Sequence, residues 1–182
     1  MMRTDRKTAA TLAVPLAATM AVAAVLAGVA GAGAAQASQV SPAADRGVAP
    51  SACRPANHLA KIAAEPANSA GHRHYRVTLT APRGYESCEL AGSPADVRFS
   101  NHGSDSGIAA GRYGDQKTVV TFGHGHPVHF DVQVPNDGTG KPADGASFTL
   151  RAPEGLIPGT SFAEGALTVA AGTLIGPVQR GA

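Results

Sequence analysis

Tryptophan is absent from the chain, and five Phe with three Tyr supply only 4% of its 182 residues. A core must therefore be built from Val, Leu, Ile and Ala around a few rings, and the buried Trp that marks antibody domains is excluded. Sustained helical periodicity is lacking after the N-terminal apolar run. No later segment carries apolar residues at i, i+3, i+4 and i+7 for three turns, so no substantial helix is expected. Cysteine is scarce too: Cys53 and Cys88 are the only two. They do not have the C-x-x-C spacing of a redox motif. A G-x-S-x-G nucleophile elbow is missing, which removes the most recognisable signature of a serine hydrolase.

What is present begins with an export signal. Residues 1–37 carry Arg3, Arg6 and Lys7, then an uncharged apolar run from about residue 11 to 29, then small residues up to Ala35-Gln36-Ala37. That is the three-part pattern of a secretory signal peptide, with cleavage expected after Ala37. A retained membrane anchor is the alternative, since the run approaches the length of a spanning helix. Its Ala and Gly content and the A-x-A motif directly after it favour cleavage. No cysteine lies near the cut, so the new N-terminus has no acceptor for a lipid.

Cleavage leaves about 145 residues, one domain's worth of chain with enough length to bury a core. Taking Arg3, Arg6, Lys7 and Asp5 from the 15 basic and 13 acidic residues leaves 12 of each sign. A mature chain so balanced gives no support for nucleic acid or an anionic surface as a partner. Two cysteines in an exported chain most simply form one disulfide, with two free thiols or a redox pair as the alternatives.

Strands and turns are the regular signal of the mature chain. Residues 38–51 are rich in Ala, Ser and Pro and read as a flexible lead. Leu59 and Ile62 suit a short strand or a helical turn. Tyr75, Val77 and Leu79 then alternate with His74, Arg76, Thr78 and Thr80, the period of a strand with one buried face. After the turn signal at Pro82 and Gly84, Cys88 and Leu90 repeat the alternation, and the two runs are expected to form a two-strand core unit. Val97 and Phe99, residues 117–122, Phe148 with Leu150, and Leu167 with Val169 mark further short strands. The clearest is 128–134, where Val128, Phe130, Val132 and Val134 point one way and His129, Asp131 and Gln133 the other. Gly, Pro, Asn and Asp clusters separate these runs, which indicates an antiparallel β-sandwich of about seven to eight short strands, of the looser immunoglobulin-like kind.

Three stretches carry a likeness to a known family: Cys53 with Leu59 six residues on, A-G-H-R-H-Y-R-V-T-L-T at 70–80, and C-E-L-A-G-S-P-A-D-V-R-F-S-N at 88–101. Together they resemble the domain of unknown function 4232 (DUF4232), a family of small exported proteins of actinobacterial type. The likeness covers about residues 51–169 and is most specific over 71–101. It implies an immunoglobulin-like β-sandwich and a bridge between Cys53 and Cys88, and it implies no reaction. The chain departs from the family pattern at Leu79-Thr80-Ala81, Gly92-Ser93-Pro94 and Gly123-His124-Gly125-His126.

Candidate chemistry is sparse. His124, His126 and His129 form an H-x-H-x-x-H cluster, and imidazole is a common ligand for copper, zinc and nickel. The three converge only where the chain turns at Gly125 or Pro127, because His126 and His129 face opposite ways on a straight strand. His72 and His74 could add to such a site. The plainer reading is a polar turn and one solvent-facing strand residue. Glu86, Glu89 and Asp96 are read as solvated rather than as an acid/base pair. Asn136 to Gly140 lacks the later bidentate Glu of a calcium loop and is read as a turn.

These features describe an exported, non-catalytic β-sandwich over residues 52–180, secreted or held at the cell wall, with no cofactor. Its expected role is interaction or structure, toward an unidentified extracellular or cell-envelope partner, with no membrane insertion once the signal is removed. The alternative is a copper- or zinc-binding exported protein using His124, His126 and His129. Intact-mass spectrometry of secreted material is expected to give an N-terminus within a few residues of Ser38; a species that retains the whole apolar run would overturn the cleavage.

Overall fold

The computed structural model describes residues 50–66, 71–136 and 138–182. The expected signal peptide, residues 38–49 of the lead and Asp137 of the turn after Val134 lie outside the described residues. One 3-10 turn, Pro55–Asn57, precedes fourteen strands. They are β1 (Leu59–Ala64), β2 (His72–Thr80), β3 (Cys88–Ala91), β4 (Ala95–Asn101), β5 (Ser104–Asp105), β6 (Gly111–Arg112), β7 (Val119–Phe122), β8 (Val128–Pro135), β9 (Lys141–Thr149), β10 (Arg151–Ala152), β11 (Gly155–Leu156), β12 (Ser161–Val169), β13 (Leu174–Ile175) and β14 (Gln179–Arg180). The fold is all-β, and the eight strands of four or more residues match the number expected from the sequence.

Alternation accounts for the long strands. On β2 the inward residues Tyr75, Val77 and Leu79 are buried, and on β8 so are Val128, Phe130, Val132 and Val134. These two strands pair antiparallel from His72 opposite Pro135 to Leu79 opposite Val128, which keeps both apolar sets on one face. Ten strands make one curled mixed sheet in the order β5-β4-β9-β12-β1-β2-β8-β13-β6, with β14 also paired to β8. Its two edge strands, β5 and β6, are joined by only residues 106–110, so the curl must bring the edges within about 22 Å of each other. Indeed Ala95 and Val97 of β4, Gly111 of β6 and Ile175 of β13 line one small groove.

Two expectations are corrected. The sheet is not antiparallel throughout: β1 runs parallel to β12, with Ala60 opposite Ala163, and β6 runs parallel to β13. Each parallel pair joins segments far apart in sequence, where no tight hairpin dictates the direction. Nor do β2 and β3 form a two-strand unit. β3 pairs with β7 in a separate two-stranded sheet, because the seven residues 81–87 between β2 and β3 carry the chain across rather than back along β2.

Leu90 of β3 with Val120 and Phe122 of β7 belong to the same buried cluster as the inner face of the large sheet. Phe130 and Phe148 meet edge to face at its centre, with centroids 5.1 Å apart. A disulfide between Cys53 and Cys88, Cα atoms 6.0 Å apart, fastens β3 to the segment that leads into β1. Non-reducing peptide mapping is expected to recover this bridge. Removing it with Cys88→Ala should lower stability by about 2–5 kcal/mol in denaturant unfolding, and two alkylatable thiols in the native protein would end the assignment.

A candidate binding cleft beside the disulfide

The segment before β1 is short, polar and tightly tied. Ser51 forms an isolated parallel bridge with Glu86, in which Ala52 N donates to Glu86 O at 2.8 Å and Glu86 N to Pro50 O at 3.2 Å. Asn57 Nδ2 donates back to Ser51 O at 2.7 Å, closing the turn around Pro55. The disulfide then fixes this turn to β3, while the loop before β12 approaches from the other side. Gly159 sits there at φ +102, where a Cβ would lie 3.0 Å from the Pro55 ring. Both the left-handed backbone and the close approach require glycine.

His58 is the buried member of this assembly. Its ring is 8% exposed, packs edge to face on Phe122, and bonds at both nitrogens. Nδ1 lies 3.0 Å from Ala52 O and Nε2 lies 3.0 Å from Ser161 Oγ. A carbonyl can only accept, so Nδ1 carries the proton and Nε2 of the neutral ring accepts from the serine hydroxyl. Burial pushes the His58 pKa below its ordinary value, with the Ala52 and Arg54 backbone contacts partly opposing it.

Over this assembly lies a cleft of about 780 Å³. Arg54, Pro55 and Ala56 form one wall, Ala152, Glu154, Ile157 and Pro158 another, and Cys53, Cys88 and Glu89 the floor. The β10–β11 hairpin that supplies Ala152 and Glu154 is held through Ile157 N, which donates to Leu150 O at 2.9 Å. Its volume is within the range of small-ligand and side-chain pockets, and its lining is mostly apolar. Arg54, Glu89 and Glu154 are exposed around it, and among the described residues none of the three is in an ion pair. The cleft therefore offers an apolar bed with charges of both signs at its rim.

The histidine cluster takes a different form. His124 occupies a two-residue turn, where His126 N donates to Gly123 O at 3.0 Å and Gly125 takes the φ of +77 that a type II turn needs. Its Nε2 accepts from Arg83 Nε at 3.1 Å. His126 is exposed beside Pro127 and Arg180. His129 is buried on the outer face of β8, with Nδ1 3.1 Å from Gly181 O. Each of the three rings thus has different neighbours, and no group of three or more ligating side chains forms among the described residues. His72 and His74 stand opposite Pro135 and Gln133, whereas His129 stands opposite Thr78, roughly 13–20 Å along the strand.

The carboxylates are likewise dispersed. Glu86 contributes its backbone to the Ser51 bridge, Glu89 rims the cleft, and Asp96 sits at φ +52 beside a bulge in β4. The cleft and the His58–Ser161 contact were not visible in the sequence, because 103 positions separate the two partners and neither lies in a motif.

Comparison with known proteins gives one match. The family model described as Domain of unknown function (DUF4232) matches residues 53–173. No curated protein and no solved structure matches the chain.

The state of His58 fixes a pH dependence. A ring held neutral in the fold takes up a proton on unfolding below about pH 6.5. Stability from this group is thus complete above that pH and is lost as the pH falls toward the depressed folded value. Urea unfolding at pH 7.5 and pH 5 should show a larger loss for the native protein than for His58→Leu; equal losses would mean that His58 does not titrate on unfolding.

Proposed function

The chain belongs to the DUF4232 family, and on that basis we propose that it is an exported, non-catalytic interaction module, whose binding surface is the cleft beside Cys53–Cys88. The observation that carries this reading is the cleft itself: mostly apolar walls, a floor made rigid by the disulfide, and three unpaired charges around it. Preorganisation favours binding, because little conformational freedom remains to be lost when the partner arrives. The arrangement suits an apolar side chain or acyl group flanked by polar functions, as a cell-envelope or extracellular partner would present.

Export is supported by the N-terminal signal pattern and by the disulfide, which persists in oxidising compartments. Among the described residues no helix is long and apolar enough to cross a membrane. The immunoglobulin-like sandwich reading is supported by the shared core between β3–β7 and the inner face of the large sheet. In such folds the loops and clefts at the ends of the strands carry recognition while the sheets serve as scaffold.

Ala56 is exposed on the cleft wall, so Ala56→Arg should block the cleft without touching the core. Immobilised native protein is expected to retain cell-envelope components that Ala56→Arg loses by about tenfold or more, roughly 1.4 kcal/mol. Lys117→Glu, exposed before β7 and outside the cleft lining, serves as the control. A chelator should change nothing. Equal retention by Ala56→Arg would overturn the cleft, and loss on chelation would transfer the function to the histidines.

A further inference from the structure

Phe162 and Leu59 are 70% and 66% exposed. They are neighbours: the parallel register that sets Ala60 opposite Ala163 also sets Leu59 beside Phe162, and both point away from the core because Ala60 and Ala163 point into it. One step along the same face, Lys61 stands opposite Glu164. Neither of these side chains takes part in an ion pair or hydrogen bond among the described residues. Directly beside Phe162 the sheet is hollowed into a groove of about 480 Å³, lined by Ser100, Asp144, Gly145 and Glu164 among others. The hollow exists because Gly145, between Ser100 and Glu164 in the ladder, puts no side chain there.

We infer that this outer face of β1, β12 and β9 is the contact surface of a symmetric homodimer, in which Phe162 of each copy fills the groove beside Phe162 of the other. A two-fold contact must be complementary to itself, so each attractive feature needs its counterpart on the same patch. This patch meets that requirement twice, with a protruding ring next to a vacant hollow and an unpaired cation next to an unpaired anion. Rotation by 180° sets the ring of one copy over the hollow of the second, and Lys61 against Glu164 of the second copy. Partners of a single charge sign would leave one of the two charges facing its like. The inference is independent of the cleft, whose lining includes none of these side chains.

Sedimentation velocity on the purified protein from about 1 to 200 μM tests it. A concentration-dependent shift toward twice the monomer mass is expected, with Phe162→Lys monomeric throughout. Lys61→Glu and Glu164→Lys should each weaken association by about tenfold, and the double reversal should recover most of the loss, since it restores opposite charges across the two-fold. Thermal melts check that each variant is folded, and Phe162→Ser replaces Phe162→Lys where the latter is not. A native protein that stays monomeric to 200 μM, or a dimer indifferent to Phe162, overturns the proposal; so does a double reversal no better than the single ones.

Discussion

Among the described residues, β1 is the strand whose ladder pairing joins the two halves of the large sheet. On one side it pairs parallel with β12, and through it with β9, β4 and β5; on the other it pairs antiparallel with β2, and through it with β8, β13 and β6. Six residues thus decide whether there is one curled sheet or two open ones. The two sides are unequal. Six residue pairs bind β1 to β2, from Leu59 opposite Thr80 to Ala64 opposite Tyr75, but only Ala60 and Lys61 are in register with β12. The parallel side stops where β12 bulges between Glu164 and Leu167. Gly165 lies in that bulge at φ +149, so close to β1 that a Cβ would sit 2.2 Å from Ile62 O. Beyond the bulge, where β12 no longer pairs with β1, the Thr168 amide donates to Tyr75 Oη at 3.0 Å.

A strand held so briefly on one side needs support at its ends, and the residues around it supply that support. At its entrance the disulfide closes a separation of 35 residues, worth about 4 kcal/mol on the chain-entropy estimate. His58 adds a second tie, joining the turn through Ala52 O directly to Ser161 at the start of β12. At the exit Glu65 N donates to His74 O at 2.9 Å, and Glu65 Oε1 lies 2.6 Å from an Arg76 guanidinium nitrogen. The cleft is a consequence of the same arrangement. Its floor is the cross-link and its first wall is the turn that β1 requires, so the rigidity that closes the sheet also shapes the surface above it.

The sequence was informative where a residue's neighbours determine its environment. Alternation on 75–79 and 128–134 marked the inward faces of β2 and β8, and two cysteines left one intrachain pairing to consider. It was silent on partners. Nothing local to residues 88–91 shows that β3 belongs with β7 rather than with β2, because pairing across sheets is decided by the whole core. The start of β9 was missed because Pro142, Asp144 and Gly145 disfavour strand on propensity, yet Lys141, Pro142 and Ala143 are held in register by β12 and Gly145 by both β12 and β4. The histidines show the same division. Their spacing was legible, but whether three rings converge depended on a turn at Gly125, on Arg83 and on the Gly181 carbonyl, all outside the spacing itself.

Edge protection favours the proposed recognition by a cleft and a face over recognition by strand addition. An open β-sheet exposes strand edges, whose free amides and carbonyls invite a partner strand. Here both ends of the sheet are two-residue strands, β5 and β6, too short to template much pairing. Residues 106–110 run between them, with Ser106 N donating to Phe99 O at 2.8 Å along the border of β4, and Ile108 and Ala110 packing against the core. The bulge at Asp96 further breaks the regular ladder that an incoming strand would extend. With these edges shortened, covered and bent, backbone hydrogen bonding is largely withdrawn from the two ends of the large sheet. On the proposed binding role, selectivity would come from side chains and hollows, and two such hollows lie beside the disulfide and over Gly145.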